Sequence, residues 1–301
     1  MLDKLIDAAA FADDKSFFQL IRRVADLQGQ ERKDGVVGSA AVSGGLVKIR
    51  PGGRLILVGD LHGDLQSLAT ILKGSKFLDD PAGMIVFLGD YGDRGAESVE
   101  VYHVVLSLKA RFPDRVILMR GNHEGPKDMA FFPHDLPDQI MERFGRAGDS
   151  IYGYLRILFD LMHHGVLIGG SYLILHGGVP TNFSAVDEIA NAHRTHPETT
   201  YLEEILWNDP KEMKGTSPSA RGYGRYFGKD ITERALQVTD TNALIRAHEP
   251  CNGYRLNHDG LVLTLFSCKA PYGNPHASYL KLGEKDYNLD GEGLAKIVEL
   301  I

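Results

Sequence analysis

Short apolar runs recur along the chain from residue 54 onward, and most of their residues are β-branched or leucine. Runs of this length without strict alternation of apolar and polar residues are typical of strands buried on both faces. The six runs are RLILVGD (54–60), MIVFLGD (84–90), RVILMRGN (115–122), YLILHGG (172–178), NALIRAHE (242–249) and LVLTLFS (261–267). Helical patterns separate the first three runs, so the pattern predicts an α/β protein with strand–helix–strand units.

The N-terminal part of the chain has a different pattern. Apolar residues at helical spacing, among them Phe17 and Ile21, predict one amphipathic helix over residues 1–30. A short polar, glycine-rich stretch follows this helix, and strand-like sequence begins soon after it. We therefore divide the chain into an N-terminal helical segment, residues 1–35, packed on a single catalytic domain, residues 36–301.

Two longer stretches show no short apolar runs of this kind. Residues 127–165 are predicted to form a helix-rich insertion, and residues 183–235 to form irregular loops around one short helix. The pair His163 and His164 closes a predicted helix, where a cationic side chain suits the helix dipole, and we expect both on the surface. The other histidines without a partner pattern are His103, His134, His193, His196, His258 and His276.

Composition narrows the classes of protein that the chain can represent. Of its 301 residues, 43% are hydrophobic and 24% are charged, which is typical of a globular protein with a full core. The net charge of −7 argues against nucleic-acid binding over a broad basic surface. No apolar run reaches the roughly 18 residues of a membrane helix, and the N-terminus lacks a signal-peptide pattern. Two cysteines, Cys251 and Cys268, are too few for a disulfide framework, so we expect a cytoplasmic protein.

Polar side chains with metal-binding chemistry follow five of the six runs. Open α/β sheets gather ligands beyond the carboxyl ends of their strands, so side chains at these positions converge if the strands lie side by side. The set contains oxygen and imidazole donors and no thiolate, which suits Mn²⁺, Fe²⁺ or Zn²⁺ rather than a structural zinc cage. Its members are Asp60, His62, Asp90, Asn122, His176 and His248.

Six ligands are too many for one tetrahedral ion, so the set favours two metals, and the position of Asp90 suggests that it bridges them. The positive charge of two divalent ions exceeds the negative charge of two aspartates and one hydroxide, so the centre has a net positive charge. Arg94 and Arg221 add to this charge. Such a centre favours a phosphate ester dianion. The neutral amide of Asn122 fits this purpose, because a third aspartate would cancel the charge that attracts phosphate.

His123 directly follows Asn122 and points in a different direction from it. A histidine beside the metals can protonate the leaving oxygen, and Asp93 can hold its other ring nitrogen. We therefore predict that His123 is a general acid and that Asp93 orients it. Considered individually, His176 and His248 are also consistent with buried structural histidines. Arg225 is an alternative to Arg221 as the residue that binds the phosphate.

The blocks GDLHGD, GDYGDRG and RGNHE resemble the signature blocks of the phosphoprotein phosphatases, the type-1 and type-2A serine/threonine phosphatases of the calcineurin-like metallophosphoesterases. The resemblance continues in order through LHGGVP, LWNDP, RGYGRYFG, RAHEP and LFSCKAPYGN, and so covers residues 54–275. It implies a central β-sandwich flanked by helices, in α-β-β-α layers, with a dimetal site at the strand ends. The insertion after RGNHE is longer than in the eukaryotic enzymes and resembles the archaeal and bacterial members.

The resemblance also implies roles for individual residues. Asp60, His62 and Asp90 would hold one metal, and Asp90, Asn122, His176 and His248 would hold the other. Arg94, Asn122 and Arg221 would bind the phosphate, with Tyr272 near a substrate-facing position in a loop that departs from the family pattern. The implied chemistry is direct attack by a hydroxide that bridges the metals, without a phosphoenzyme.

These observations predict a phosphatase that uses two divalent ions to hydrolyse phosphoserine and phosphothreonine in proteins. Mn²⁺ is the metal that we expect to support activity in an assay, and Fe²⁺ or Zn²⁺ are the alternatives. Its expected partners are phosphorylated proteins, with no nucleic acid and no membrane, and the sequence identifies no regulatory subunit. One alternative is a nucleotide hydrolase of the diadenosine tetraphosphatase type on the same scaffold. Another is a phosphate-binding protein without activity, which we would expect to lack a ligand or the acid.

Overall fold

The computed structural model describes residues 1–301. Its helices are α1 (Leu2–Ala10), α2 (Asp14–Asp34), α3 (Leu65–Ser75), α4 (Ser98–Arg111), α5 (Leu136–Phe144), α6 (Gly148–Leu161), α7 (Val186–Thr195), α8 (Tyr201–Trp207), α9 (Lys229–Thr239) and α10 (Gly291–Ala295). No helix is both long enough and apolar enough to span a bilayer.

The strands are β1 (Val36–Val37), β2 (Ala40–Ser43), β3 (Leu46–Ile49), β4 (Leu55–Val58), β5 (Met84–Phe87), β6 (Val116–Leu118), β7 (Gly165–Ile168), β8 (Tyr172–Leu175), β9 (Asp209–Pro210), β10 (Thr216–Pro218), β11 (Arg225–Phe227), β12 (Ala243–Arg246), β13 (Tyr254–Asn257), β14 (Val262–Leu265), β15 (Ser278–Leu282) and β16 (Val298–Leu300). They form an eight-stranded sheet in the order β1-β2-β3-β7-β8-β12-β14-β13, a five-stranded sheet in the order β16-β15-β4-β5-β6, and a small sheet in the order β10-β11-β9.

The two large sheets pack face to face, with helices on both outer sides. Leu57 of β4 belongs to the core between the sheets, together with Ile174 of β8 and Ile245 of β12. Its neighbour Ile56 faces the opposite side and joins a core with α1 to α6, while Leu244 of β12 packs with α7, α8 and α9. This alternation buries both faces of each central strand. The predicted fold, a β-sandwich in α-β-β-α layers, is confirmed.

Each of the six predicted strands is present, but they do not lie side by side in one sheet. The strands β4, β5 and β6 are parallel neighbours in the five-stranded sheet, whereas β8, β12 and β14 are parallel neighbours in the eight-stranded sheet. The two sheets meet where β4 and β14 end, because Asp60 and Phe266 form an isolated parallel bridge. The polar ends of strands from both sheets therefore reach the same edge of the sandwich.

The N-terminal segment contains two helices rather than the single predicted helix. Asp13 is the N-cap of α2, because its side chain accepts a hydrogen bond from the backbone N–H of Ser16. Gly35, in a left-handed conformation, ends α2. Phe17 and Ile21 are fully buried in the core shared with the five-stranded sheet. We propose on this packing that residues 1–35 fold together with the rest of the chain.

Two other expectations were wrong. The region 183–235 contains α7, α8, the first part of α9 and the small sheet. The buried residues of α7 include two alanines, which give a weak helical pattern. His163 and His164 are buried, not exposed. His163 Nε2 lies 3.3 Å from Glu31 Oε2, and His164 Nε2 lies 2.7 Å from the carbonyl oxygen of Ile189.

Truncation of Phe17 tests whether the N-terminal helices are part of the core. We expect Phe17→Ala to lower the free energy of unfolding by about 3–5 kcal/mol, because it leaves a cavity beneath α2. Urea denaturation measures this change. The matched control is Phe11→Ala, because Phe11 is 87% exposed and should change stability by no more than about 0.5 kcal/mol. Equal, small effects of both variants would mean that the N-terminal segment folds independently of the core.

Acid should destabilise the fold through its buried histidines. Burial, together with nearby Arg143, lowers the pKa of His103 to about 4, and burial with Arg32 lowers that of His193 to about 4. The unfolded chain has histidine pKa values of about 6.5, so between about pH 6.5 and pH 4 the unfolded state binds more protons and stability falls as the pH falls.

Unfolding of wild type and His103→Gln in the presence of a chelator, at a series of pH values across this range, checks the sign. The variant should show a shallower loss of stability, by at most about 1.4 kcal/mol per pH unit, which is the value for one proton. An unchanged slope would contradict the assignment to His103.

Candidate metal centre

The sequence-predicted site residues lie together at one edge of the sandwich. The five-stranded sheet supplies the side chains that follow β4, β5 and β6, and the eight-stranded sheet supplies those that follow β8 and β12. These side chains are all buried, and five of the seven line a cleft of about 480 Å³. They are Asp60, His62, Asp90, Asn122, His123, His176 and His248.

Two groups of possible metal ligands share one carboxylate. The ligand atoms of His62, Asp90 and His123 lie within 4.8 Å of one another, and so do those of Asp90, His176 and His248. Within the second group, His176 Nε2 lies 3.4 Å from Asp90 Oδ1. Two ligand atoms of one ion, each at about 2.1 Å, are roughly 3–3.5 Å apart. The spacing therefore fits two adjacent ions that share Asp90.

Asp60 and Asn122 complete the two groups. Asp60 Oδ2 lies 3.6 Å from His62 Nε2 and has no hydrogen-bond partner, although it is buried. Asn122 Oδ1 lies 3.1 Å from His176 Nε2 and 2.9 Å from His248 Nδ1. A buried carboxylate oxygen without a partner is costly unless a cation neutralises it, so the residues present fit a pair of divalent ions.

The electrostatics of the centre also favour a cation. Burial disfavours the charged form of His176, but the carboxylates of Asp90 and Asp60 outweigh this effect and raise its pKa to about 9. Burial also opposes the charged form of Asp90, yet the imidazoles of His176 and His123 hold the pKa of Asp90 well below its usual range. The site therefore attracts positive charge strongly, from a proton or from a metal ion.

Glu124 and Gly121 hold the ends of β5 and β6 in register. The Glu124 carboxylate accepts hydrogen bonds from the backbone N–H groups of Asp90, Tyr91 and Gly121 at 2.8, 3.1 and 3.0 Å. A Cβ at position 121 would lie 2.1 Å from Asp90 Oδ1, so only glycine fits there. Glu124 thus holds the backbone of the loops after β5 and β6 in place, and it does not line the cleft.

Several site residues have a left-handed backbone without being glycine. Their φ values are 42° for His62, 54° for Asp90, 64° for Asp93, 72° for Arg94 and 69° for His248. Such conformations are uncommon in non-glycine residues, cost energy and cluster at functional sites. The fold therefore accepts local strain to aim these side chains into the cleft.

His123 and Asp93 form a hydrogen-bonded pair beside the ligand groups. His123 Nδ1 lies 2.7 Å from Asp93 Oδ2, which leaves Nε2 as the nitrogen available to the cleft. Burial opposes the charged form of Asp93, but hydrogen bonds from His123 and His134 outweigh it and keep the pKa of Asp93 well below its usual range. The contact with His134 has no sequence signal, because the two residues lie 41 positions apart.

Two arginines and one tyrosine line the cleft above the ligands. Arg94 lies over the ring of Tyr272, 5.5 Å from its centroid, and Arg221 Nε donates to Asp209 Oδ2 at 2.7 Å. Arg225 instead donates to Thr216 Oγ1 at 3.0 Å and does not line the cleft. The structure thus brings Arg94, Arg221 and Tyr272 to the site.

Other cleft residues were not identified from the sequence. Trp207 is buried, as expected for a core residue, but it also lines the cleft, as do Phe131 and Phe132 from the insertion. Asp209 positions Arg221 and also accepts from Arg246 Nη2 at 2.8 Å. The LWNDP block carries Trp207 and Asp209, and it was the only sequence signal for either residue.

Comparisons with known proteins agree with this geometry. A family model described as calcineurin-like phosphoesterase matches residues 53–252. A probable serine/threonine-protein phosphatase of Encephalitozoon cuniculi is 35% identical over 250 residues, which are 80% of this chain and 53% of that protein. The serine/threonine-protein phosphatase 4 catalytic subunit of Eremothecium gossypii is 33% identical over 217 residues, which are 70% of this chain and 67% of that protein.

A solved structure extends the likeness to most of the fold. It is a protein serine/threonine phosphatase from Saccharomyces cerevisiae with similarity to human phosphatase PP5, and it matches with a TM-score of 0.78 and 25% identity, over 97% of this chain and 90% of that chain. The chain spans about half the length of the Encephalitozoon relative and about two thirds of the Eremothecium relative. The chain belongs to the calcineurin-like phosphoesterase family.

Proposed function

We propose that this chain is a metal-dependent serine/threonine protein phosphatase that hydrolyses phosphoserine and phosphothreonine monoesters. The observation that carries the proposal is the sharing of Asp90 between two adjacent groups of ligands at the base of a cleft lined by Arg94, Arg221 and His123. Relatives named as serine/threonine phosphatases support the same activity.

We assign the ligands to two ions. Asp60, His62 and Asp90 would hold one ion, and Asp90 with Asn122, His176 and His248 would hold the other. His123 lies beside the first group, but its Nδ1 is bound to Asp93, and we assign it to proton transfer instead. When bound, two divalent ions would supply positive charge to a phosphate oxygen and would make a water in the cleft more acidic. Oxygen and imidazole donors without sulfur suit Mn²⁺, Fe²⁺ or Zn²⁺.

The two arginines that line the cleft bind the phosphate. Arg94 Nε is buried without a hydrogen-bond partner, so it has donor capacity left for a phosphate oxygen. The Asp209 carboxylate fixes Arg221 through Nε, which leaves the terminal nitrogens of the guanidinium for the substrate. Asn122 and Tyr272 supply further polar atoms at the wall of the cleft.

His123 protonates the oxygen of the leaving serine or threonine. An alkoxide is a poor leaving group, so a proton delivered in the transition state lowers the barrier. Asp93 accepts a hydrogen bond from Nδ1–H of His123, which directs Nε2 towards the cleft. The attacking water loses a proton as the ester oxygen gains one, so the overall hydrolysis balances.

Replacement of Asp90 tests the shared ligand. We expect Asp90→Asn to release both ions together and to reduce hydrolysis to background, because both groups lose their common carboxylate. Measurement of bound metal per chain by mass spectrometry follows this loss. The matched variant Asp60→Asn removes a carboxylate of one group and should release chiefly one ion. Full retention of one ion in Asp90→Asn would contradict the shared role.

A substrate panel tests the activity itself. The metal-stripped protein is refilled separately with Mn²⁺, Zn²⁺, Fe²⁺, Ni²⁺ or Mg²⁺, and kcat/KM is measured on phosphoserine and phosphothreonine peptides and on diadenosine tetraphosphate. We expect the peptides to exceed the dinucleotide by at least about tenfold, which corresponds to about 1.4 kcal/mol in transition-state binding. Faster cleavage of the dinucleotide would favour the nucleotide hydrolase, and no turnover with any ion would favour a phosphate-binding scaffold.

A further inference from the structure

The two carboxylate oxygens of Asp93 share one donor, because His134 Nδ1 lies 3.1 Å from Oδ1 and 3.3 Å from Oδ2. Oδ2 accepts from His123 Nδ1 at 2.7 Å. Oδ1 accepts from the backbone N–H groups of Asp135 and Leu136, each at 2.8 Å, and from His134 Nδ1 at 3.1 Å. Asp93 is 1% exposed, so these hydrogen bonds determine its orientation. The insertion after RGNHE therefore binds Asp93, the partner of the predicted acid, with two backbone N–H groups and one imidazole.

His134 is itself held from the other side. Its Nε2 lies 2.8 Å from the hydroxyl of Tyr152, on α6. The carboxylate of Asp93 can only accept, so Nδ1–H of His134 donates to it, and Nε2 is left for the hydrogen bond with the tyrosine hydroxyl. Phe131 packs between the two histidines, with its ring centroid 4.0 Å from that of His123 and 4.6 Å from that of His134.

The side chains thus form a chain of contacts from a helix to the cleft. It runs from the Tyr152 hydroxyl through the ring of His134 and the carboxylate of Asp93 to the ring of His123. A carboxylate held on one oxygen alone can rotate, and the partner of its other oxygen rotates with it. Backbone N–H groups hold only Oδ1, whereas His134 Nδ1 lies within hydrogen-bond distance of both oxygens, so it restrains rotation of the carboxylate and thereby the orientation of the acid.

We propose that His134 is a positioning residue, which holds Asp93 so that His123 keeps Nε2 directed at the leaving oxygen. The inference rests on the proposed function, because it requires His123 to donate a proton. In this step the water oxygen forms a new P–O bond as the P–O ester bond breaks, the leaving oxygen takes the proton from His123 Nε2, and the Nδ1 proton stays on His123, hydrogen-bonded to Asp93. The proton lost by the attacking water then restores His123, so no further reactant is needed.

The dependence of the rate on the leaving group separates positioning from general damage. A phosphoserine peptide and phenyl phosphate release oxygens that need a proton, whereas 4-nitrophenyl phosphate releases a stable phenolate. General acid catalysis contributes about 10²–10⁴-fold to such reactions. We expect His134→Ala to lower kcat about 10-fold on the peptide, less on phenyl phosphate, and by less than about 2-fold on 4-nitrophenyl phosphate, with KM unchanged.

Conservative variants refine the test. His134→Asn places an amide N–H close to the position of Nδ1–H and should recover most of the lost rate on the peptide. Tyr152→Phe keeps the aromatic ring but removes the hydroxyl, so it should give a smaller loss with the same leaving-group dependence. Circular dichroism and the metal content of each variant verify that the fold and the ligands are retained.

The matched control is His196→Ala. His196 Nε2 lies 2.9 Å from Asp128 Oδ2, so this histidine also contacts the insertion, but it does not contact Asp93. We expect no leaving-group dependence in this variant. A loss like that of His134→Ala would mean that any loosening of the insertion slows the reaction, and it would overturn the inference.

His123→Asn tests the acid role of His123 separately from the positioning role of His134. It should lower kcat about 10²–10⁴-fold on the peptide and much less on 4-nitrophenyl phosphate. Equal losses on both esters in this variant would remove the acid role of His123, and the inference with it. If His123→Asn shows the dependence but His134→Ala lowers both rates equally, or neither, only the positioning role of His134 is overturned.

Discussion

The carboxylate of Asp90 is the group around which the candidate site is arranged. It lies where the ends of β5 and β6 meet the ends of strands from the opposite sheet, within reach of both ligand groups. A buried carboxylate in contact with further carboxylates is unfavourable without positive charge. Glu124 holds the backbone at this point, Gly121 leaves room for the side chain, and the left-handed conformation of Asp90 aims it inward.

Much of this arrangement could be predicted because its signals are local. Short apolar runs without alternation identified six central strands, and each run is followed by the residues that the strand presents at its end. A side chain at the end of a buried strand can adopt few orientations. Residue type and strand position together therefore predict where Asp60, Asn122 and His248 lie. The order of the motifs then identified the family and, through it, the sandwich.

The remaining features depend on contacts between distant parts of the chain. The division of the central strands between two sheets leaves no trace in the strands themselves, since all of them are buried on both faces. His134 and Asp93 meet only because the insertion folds back over the loop after β5. The burial of His163 follows from the position of Glu31 on α2, which nothing near His163 in the sequence indicates. Hydrophobic patterns indicate which residues are buried, but they do not indicate which buried polar groups contact each other.

The meeting of two sheets at one site has a consequence for the order of folding. Asp60 Oδ1 accepts a hydrogen bond from the backbone N–H of His248, 188 residues further along the chain. Contacts of such long sequence separation form late, because the intervening chain must already be compact. During synthesis, the ligands from the five-stranded sheet emerge long before their partners from the eight-stranded sheet. A nascent chain therefore carries part of the ligand set for much of its elongation and completes it only when the two sheets of the sandwich pack together.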